Sequence, residues 1–594
     1  MLRKVRLTLL LPYRNYFYSA RSQIVLVLFL IFLLLPYIYY NYNRKTKNIY
    51  TNSSNYRNLS IRLDSSTSKD FYYQQQQTKQ PLHQLKTIDD YHLSLNERQS
   101  VIKSGFNSLL SDRLPLNRSL PDVRHSSCKT KTYLSKLPSV SIVIVYHNEL
   151  KSVMLRSLYS LIERTPDYLL HEIILVDDYS DSSFDIENYL ANDLMRKVKV
   201  FHLKDRQGLI KARLNGARLA QAKVLVFLDA HIEANENWLP PLLEPLKKNH
   251  ETCTTPIIDI IKYDSFEYQA STASRGGFNW HFNYVQLPLL AEELERMPEP
   301  HNNPVMNGGL FAIRREYFWH LNGYDEGLEI WGGEQFELSF KIWLCGGRLL
   351  EVPCSRVAHL YKAPNYRVKY TDRKDDFISK NYKRVAEVWL DEYKDYLYEH
   401  IPKLTGIYAG NLTSLKLKRK NLNCKNFKWF LETIAPDLLK IYPPITPIDF
   451  AEGAIQSLAL PNLCLDAGKT SERQQLTEAL QTCSPDLKYP YASQRWHLSF
   501  RRDLRHRGLC LEVQKWSVNA PVWLWPCHHQ QGNQFWFYDE QSKMIIQAQQ
   551  QRCLEVNTKL FEVVVNYCNV SKPSMQWNFG YVNHTAMQTF FNDI

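Results

Sequence analysis

Between residues 140 and 231, short apolar runs rich in β-branched residues alternate with helical patterns, and that alternation leaves few folds open. Val140–Tyr146 is apolar on both faces, as in a strand covered from both sides. A helical pattern follows over Val153–Ile162, then a second strand over Glu172–Asp178 that ends in two carboxylates. The pattern continues with a helix over Ser182–Met195, a strand over Val198–Leu203, a helix over Leu209–Ala222 and a strand over Val224–Leu228. The last runs into Asp229-Ala230-His231. This order predicts an open, largely parallel sheet with right-handed crossovers, which binds ligands at the carboxyl ends of its strands. His147, Asp177, Asp178, Asp229 and His231 all fall there. No Gly-x-Gly-x-x-Gly follows the first strand and no Walker lysine is present, so carboxylates, not a phosphate cradle, would build a nucleotide site. The strand period of two turns Asp229 and His231 the same way. A carboxylate and an imidazole suit a borderline divalent ion such as Mn²⁺, which would neutralise a diphosphate leaving group.

A second cluster lies downstream. Asn307-Gly-Gly-Leu-Phe-Ala-Ile313 leads to Trp331-Gly-Gly-Glu334-Gln335-Phe336-Glu337, where Glu334 and Glu337 share a face if a helix starts there. His359, after that helix, is a candidate third ligand. Towards the C-terminus, Leu463-Cys-Leu-Asp466, Leu509-Cys-Leu-Glu512 and Arg552-Cys-Leu-Glu555 recur at intervals of 46 and 43 residues. Each is followed by a second Cys (483, 527, 568) and a Trp (496, 536, 577). Three repeats of this size suit an all-β β-trefoil and are too few for a propeller. One disulfide within each repeat is the natural pairing: Cys464 with Cys483, Cys510 with Cys527, Cys553 with Cys568. Zinc is the alternative, though close Cys-x-x-Cys pairs are missing.

The net charge of +13 suggests nucleic acid until it is located. Residues 1–120 hold 17 Lys and Arg against 6 Asp and Glu, a net of +11, which leaves +2 for the remaining 474 residues. The excess flanks an apolar run at 23–40, about the length a bilayer needs. We read 1–22 as a cytosolic tail, 23–40 as a transmembrane signal anchor and 41–100 as a polar lumenal stem. Residues 101–440 follow as the α/β domain, 441–454 as a linker and 455–594 as the trefoil. Six Asn-x-Ser/Thr sequons, at Asn52, Asn58, Asn117, Asn411, Asn569 and Asn583, suit passage through the secretory pathway. Arg495, Arg501, Arg502, Arg505 and Arg507 are read as a solvated basic face, and no nucleic-acid partner is expected.

The blocks Tyr146-His-Asn-Glu149, Val176-Asp-Asp-Tyr-Ser180, Arg206-Gln-Gly-Leu209, Asp229-Ala-His231, Gly276-Gly-Phe-Asn-Trp280, Gly308-Gly-Leu-Phe311 and Trp331-Gly-Gly-Glu334 occur in order. Together they resemble the polypeptide N-acetylgalactosaminyltransferases, which begin mucin-type O-glycosylation, and the terminal repeats are similar to ricin-type lectin domains. The resemblance implies a GT-A catalytic fold, Mn²⁺, a UDP-GalNAc donor, Ser/Thr hydroxyl acceptors on proteins or glycopeptides, and retention by front-face displacement. It also implies a type II protein of the Golgi membrane. Carried over by position, Asp229, His231 and His359 are the metal ligands. His147, Asp178, Arg206, Ala230, Lys362 and Tyr366 border the donor, and Trp331 and Glu334 surround the donor sugar and diphosphate as the catalytic pair. Disulfides Cys128–Cys354 and Cys345–Cys424 are implied, leaving Cys253 free. Sugar binding by the lectin repeats would rest on Asp466, Glu512 and Asn533. Departures from the family pattern are Gln335 for Asn, Ala358 for Gly, Lys362 for Arg, Val145 for Thr and a loop one residue short before Tyr366. They keep two alternatives in play: a weak or inactive relative that binds glycan or peptide, and a transferase with another UDP-sugar donor.

Overall fold

The structure is a computed structural model that describes residues 93–181, 186–190, 195–364, 366, 373, 375–468, 474–476, 479–514, 517–527 and 531–591. All fall in the unit spanning Thr67–Ile594. The apolar run at 23–40, the tail before it and the expected stem up to residue 92 lie outside the described residues, while the last residues of that stem enter the helix Leu95–Ser104. Among the described residues no helix is long and apolar enough to cross a membrane.

The α/β region is built on a sheet whose strands follow the order His301–Asn302, Arg348–Leu360, Thr252–Ile261, Phe311–Arg314, Val224–Asp229, Val140–Tyr146, Leu170–Asp177, Val198–His202. Val140–Tyr146 runs parallel to both Leu170–Asp177 and Val224–Asp229, and Thr252–Ile261 runs parallel to Arg348–Leu360. Phe311–Arg314 is antiparallel to its neighbours and joins the two parallel halves. Alternate side chains feed two cores, as the strand period requires. Val143, Val176 and Phe227 face one layer; Ile142, Ile144, Leu175 and Val226 face the other. The helix Lys151–Glu163 covers the second layer with Met154, Leu155, Leu158 and Leu161. The helix Leu209–Leu219 covers the first with Ile210, Leu214 and Ala217. Of the helix expected over 182–195, the described part is the single turn Glu187–Leu190.

The C-terminal region is antiparallel β throughout its named pairings and begins at Ala451–Ser457, which pairs with Leu463–Leu465, Trp496–Leu498 and Trp577–Val582. Each repeat closes on itself. The fully buried Trp496, Trp536 and Trp577 donate their indole N–H to the carbonyls of Leu465, Leu511 and Leu554, at 2.9, 2.8 and 2.9 Å. Each acceptor is the Leu of that repeat's own Cys-Leu-acid motif. Disulfides join Cys464–Cys483, Cys510–Cys527 and Cys553–Cys568 within the repeats, and Cys128–Cys354 and Cys345–Cys424 in the α/β region. Cys253 is free and buried.

Arg495 and Arg507 are exposed, as expected of a solvated basic face, but Arg501, Arg502 and Arg505 correct that reading. Arg502 is buried against Phe450 and Phe537, and burial pulls its pKa down to about 10. Arg501 Nε donates to the carbonyl of Ile441, and Arg505 pairs with Asp449 at 2.7 Å. These guanidiniums fasten the β domain to the segment that enters it.

Candidate active site

Three side chains from separate segments converge at the carboxyl end of the parallel strands. Asp229 closes Val224–Asp229, and His231 sits in the bend before the short strand Ile232–Ala234. His359 is near the end of Arg348–Leu360 and lies opposite Ile232 in an antiparallel pair. One donor atom from each lies within 4.8 Å of the others. His359 Nε2 is 3.4 Å from Asp229 Oδ2, and the two imidazole centroids are 4.7 Å apart.

The surrounding groups prepare these three as ligands. Glu149 Oε2 lies 2.7 Å from His231 Nδ1. Burial pushes the Glu149 carboxyl up, but His231 and Lys362 outweigh it and hold it at about 2. An ionised Glu149 accepts the Nδ1–H, so the lone pair of His231 sits on Nε2. Asp229 Oδ1 accepts from Arg213 Nη2 at 2.9 Å. Burial opposes its charge, yet His359, Arg213 and His231 hold the carboxyl well below the usual range. Burial keeps His359 neutral, and among the described residues its buried Nδ1 has no hydrogen-bond partner. Gly309 leaves room for this cluster, since a Cβ there would lie 2.6 Å from Asp229 Oδ2. An anionic carboxylate and two imidazoles at this spacing fit a borderline divalent cation.

Arg213 also donates to the carbonyls of Gly308 at 2.7 Å and Gly309 at 3.2 Å, and so ties the glycine loop to Asp229. Glu334 begins the helix Glu334–Leu344 and is buried, as is Glu337. Its Oε2 accepts the Gly332 N–H at 2.8 Å, while burial pushes its carboxyl up.

Just beyond the second strand, Asp178 is fully buried. It accepts from the backbone N–H of Gln207 and Gly208, at 2.7 and 2.8 Å, and pairs with Arg206. Gly208, at φ +87°, bridges to Ile330, and a Cβ on it would come within 2.3 Å of the Ile330 Cα. Ile330 precedes Trp331, so Asp178 anchors the loop that carries Trp331 and Glu334. His147 is exposed, with Nδ1 3.0 Å from the Asp178 carbonyl. Ala230 is buried, and its carbonyl accepts from Ser157 Oγ. Lys362 turns towards the N-terminal segment: Nζ donates to the Ser104 carbonyl at 3.1 Å and stands over the rings of Phe106, at 4.2 Å, and Tyr366, at 5.7 Å. Ala358 packs into the Phe106–Phe266 cluster, while His359, one residue on, joins the ligands.

Among the β repeats, Asp466 Oδ2 accepts from Ser493 Oγ at 2.9 Å and Oδ1 from the Gly468 N–H at 2.7 Å. Glu512 Oε2 accepts from Gln534 Nε2 at 2.8 Å, and Asn533 beside it is half-buried. Glu555 accepts from Asn566 at 2.7 Å and Ser574 at 3.0 Å.

Three family models match the chain: glycosyl transferase family 2 over 141–321, the N-terminal domain of galactosyltransferase over 293–364 and the ricin-type beta-trefoil lectin domain over 451–577. N-acetylgalactosaminyltransferase 6 of Drosophila melanogaster is 49% identical over 516 residues, which cover 86% of this chain and 77% of that relative. The chain belongs to the polypeptide N-acetylgalactosaminyltransferase family. Polypeptide N-acetylgalactosaminyltransferase 10 of Rattus norvegicus is 41% identical over 506 residues, 83% of this chain and 82% of that one. A crystal structure of GalNAc-T7 with UDP, GalNAc and Mn²⁺ superposes with a TM-score of 0.58 at 33% identity, covering 84% of this chain and 91% of that one.

Two groups of this transferase escaped the sequence reading. Glu149 was visible only as part of a motif, and nothing local links it to His231. Arg213 did leave a signal: it shares the apolar stripe of its helix with Ile210, Leu214 and Ala217, where a charge needs a buried partner.

Proposed function

We propose that this polypeptide N-acetylgalactosaminyltransferase moves GalNAc from UDP-GalNAc to Ser and Thr hydroxyls of proteins, with retention, at a Mn²⁺ site held by Asp229, His231 and His359. The observation that carries this reading is the convergence of those three donors, with Glu149 orienting one imidazole and Arg213 holding the carboxylate. When bound, the metal would supply Lewis acidity at the departing diphosphate. The chain's own part is positioning and charge stabilisation. Arg213 fixes the Gly308–Gly309 backbone against Asp229, Asp178 holds the loop before Trp331, and Glu334 braces the Trp331–Gly332 turn. Glu334 is buried and bonded to the Gly332 N–H, which suits orientation of the donor sugar better than nucleophilic attack. Its partner compartment is the Golgi lumen, with a type II anchor at 23–40, and its lectin domain binds GalNAc weakly through Asp466 of the first repeat.

A weakly active relative is favoured by one observation: Lys362, where the family has Arg, donates to Ser104. Purified protein is incubated with Mn²⁺, Ser/Thr-rich peptides and labelled UDP-GalNAc, UDP-GlcNAc or UDP-Gal. Transfer of GalNAc alone is the expected result. Transfer of another sugar overturns the donor assignment, and binding without transfer supports the weak relative.

A further inference from the structure

The seven residues Tyr567–Pro573 are exposed without interruption, a run that includes the sequon Asn569-Val570-Ser571. Asn569 Oδ1 accepts the Ser571 N–H at 3.0 Å, which closes a tight turn across the sequon while both residues stay exposed. Lys572 N–H donates back to the Asn569 carbonyl at 3.1 Å, and the Asn569 N–H points at Met575 Sδ, so the turn is held from within. Val570 and Tyr567 stand 62% and 67% exposed beside it, an apolar surface that solvent does not favour. The same turn carries Lys572 and Ser574, which reach Glu555 at 3.4 and 3.0 Å. Glu555 is the acid of the third repeat, at the position where the first repeat has Asp466. A sequon and a candidate sugar site therefore share one turn.

We propose that Asn569 carries an N-linked glycan, and that this glycan covers the third-repeat acid and closes that repeat to other sugars. The inference rests on the lumenal reading of the chain. A separate transferase supplies the sugar from a lipid-diphosphate-linked oligosaccharide. A bond forms between Asn569 Nδ2 and the anomeric carbon, the bond from that carbon to the diphosphate oxygen breaks, and the lipid diphosphate leaves while the amide gives up one proton. The first two repeats carry no sequon, so their acids stay open.

Asn411 serves as the internal control. It is exposed, its Oδ1 accepts the Thr413 N–H at 2.9 Å, and it is remote in sequence from the repeats. The full chain is expressed in a eukaryotic secretory host, and glycopeptides are read by mass spectrometry before and after peptide-N-glycosidase treatment, beside Asn569→Gln and Asn411→Gln variants. Occupancy of Asn569 in most molecules is the expected result. An occupied Asn411 with a bare Asn569 overturns the inference and leaves the lumenal reading standing; both bare overturns both. For the covering, the parent and Glu555→Ala are titrated with a GalNAc-bearing glycopeptide before and after peptide-N-glycosidase treatment. An additional binding site that opens in the parent only on removal of the glycan, and that Glu555→Ala abolishes, is the expected result; the same binding before and after treatment overturns the covering.

Discussion

Glu149 tests the metal site without removal of a ligand. Its carboxylate fixes the His231 tautomer, so Glu149→Ala is expected to weaken Mn²⁺ binding by about 10- to 100-fold while all three ligands remain, as read by calorimetric titration. Wild-type affinity in that variant would leave the 2.7 Å contact without a role. His231→Ala removes a ligand outright; turnover is expected to fall by at least about 100-fold at saturating donor, with the Mn²⁺ requirement shifted to higher concentration. Near wild-type turnover in the presence of chelator would rule out the ligand set. These residues were legible to different degrees for a physical reason. Asp229 and His231 announce themselves, because a strand end and a period of two are local facts. His359 becomes a ligand only when a distant strand pairs beside Ile232, a contact that periodicity does not encode. The resemblance to a family supplied it instead.

The Arg206–Leu209 loop and the loop that carries Trp331, both proposed to border the donor, are joined through the Gly208–Ile330 bridge, and that contact is steric before it is chemical. Gly208→Ala places a methyl group 2.3 Å from the Ile330 Cα at a φ of +87°, so the Trp331 loop must move. Loss of most transferase activity with little change in the unfolding midpoint is the expected outcome. Unchanged kcat/KM would separate that loop from catalysis. In the β domain, Asp466→Ala removes a charge-assisted acceptor. It is expected to weaken GalNAc-glycopeptide binding about tenfold or more, as measured by titration of the full chain. Unaltered binding would move the sugar site away from the first repeat. The four strands between 140 and 229 were readable almost to their ends, since apolar runs buried on both faces have few other uses, whereas Thr252–Ile261, Phe311–Arg314 and Arg348–Leu360 were not read as strands. The turns that hold Asp178 against Gln207 and Gly208 were not, because a backbone N–H carries no signature in the residue code.

Across the chain, the five disulfides close loops of very different length. Cys128–Cys354 spans 226 residues, while those of the repeats span 19, 17 and 15. Loop-closure entropy assigns about 5 kcal/mol to the first and about 3 kcal/mol to each of the three in the repeats. The paired change Cys128→Ser with Cys354→Ser is expected to lower the midpoint of the α/β transition more than Cys553→Ser with Cys568→Ser lowers that of the β domain, in thermal scans of the full protein. Equal shifts would place the stabilisation in the native state instead.

The indole-to-carbonyl bond within each β repeat bears on how such a domain changes over time. Cys, Leu and Trp hold a repeat upright through a bond in which the acid after Leu takes no part. Substitution of that acid leaves the bond untouched. A duplicated lobe is therefore free to lose its sugar, or to acquire another task, without a folding intermediate that selection would reject. Ser493 and Ser574 donate to the acids of their own repeats, contacts separate from the indole bond and open to change without it.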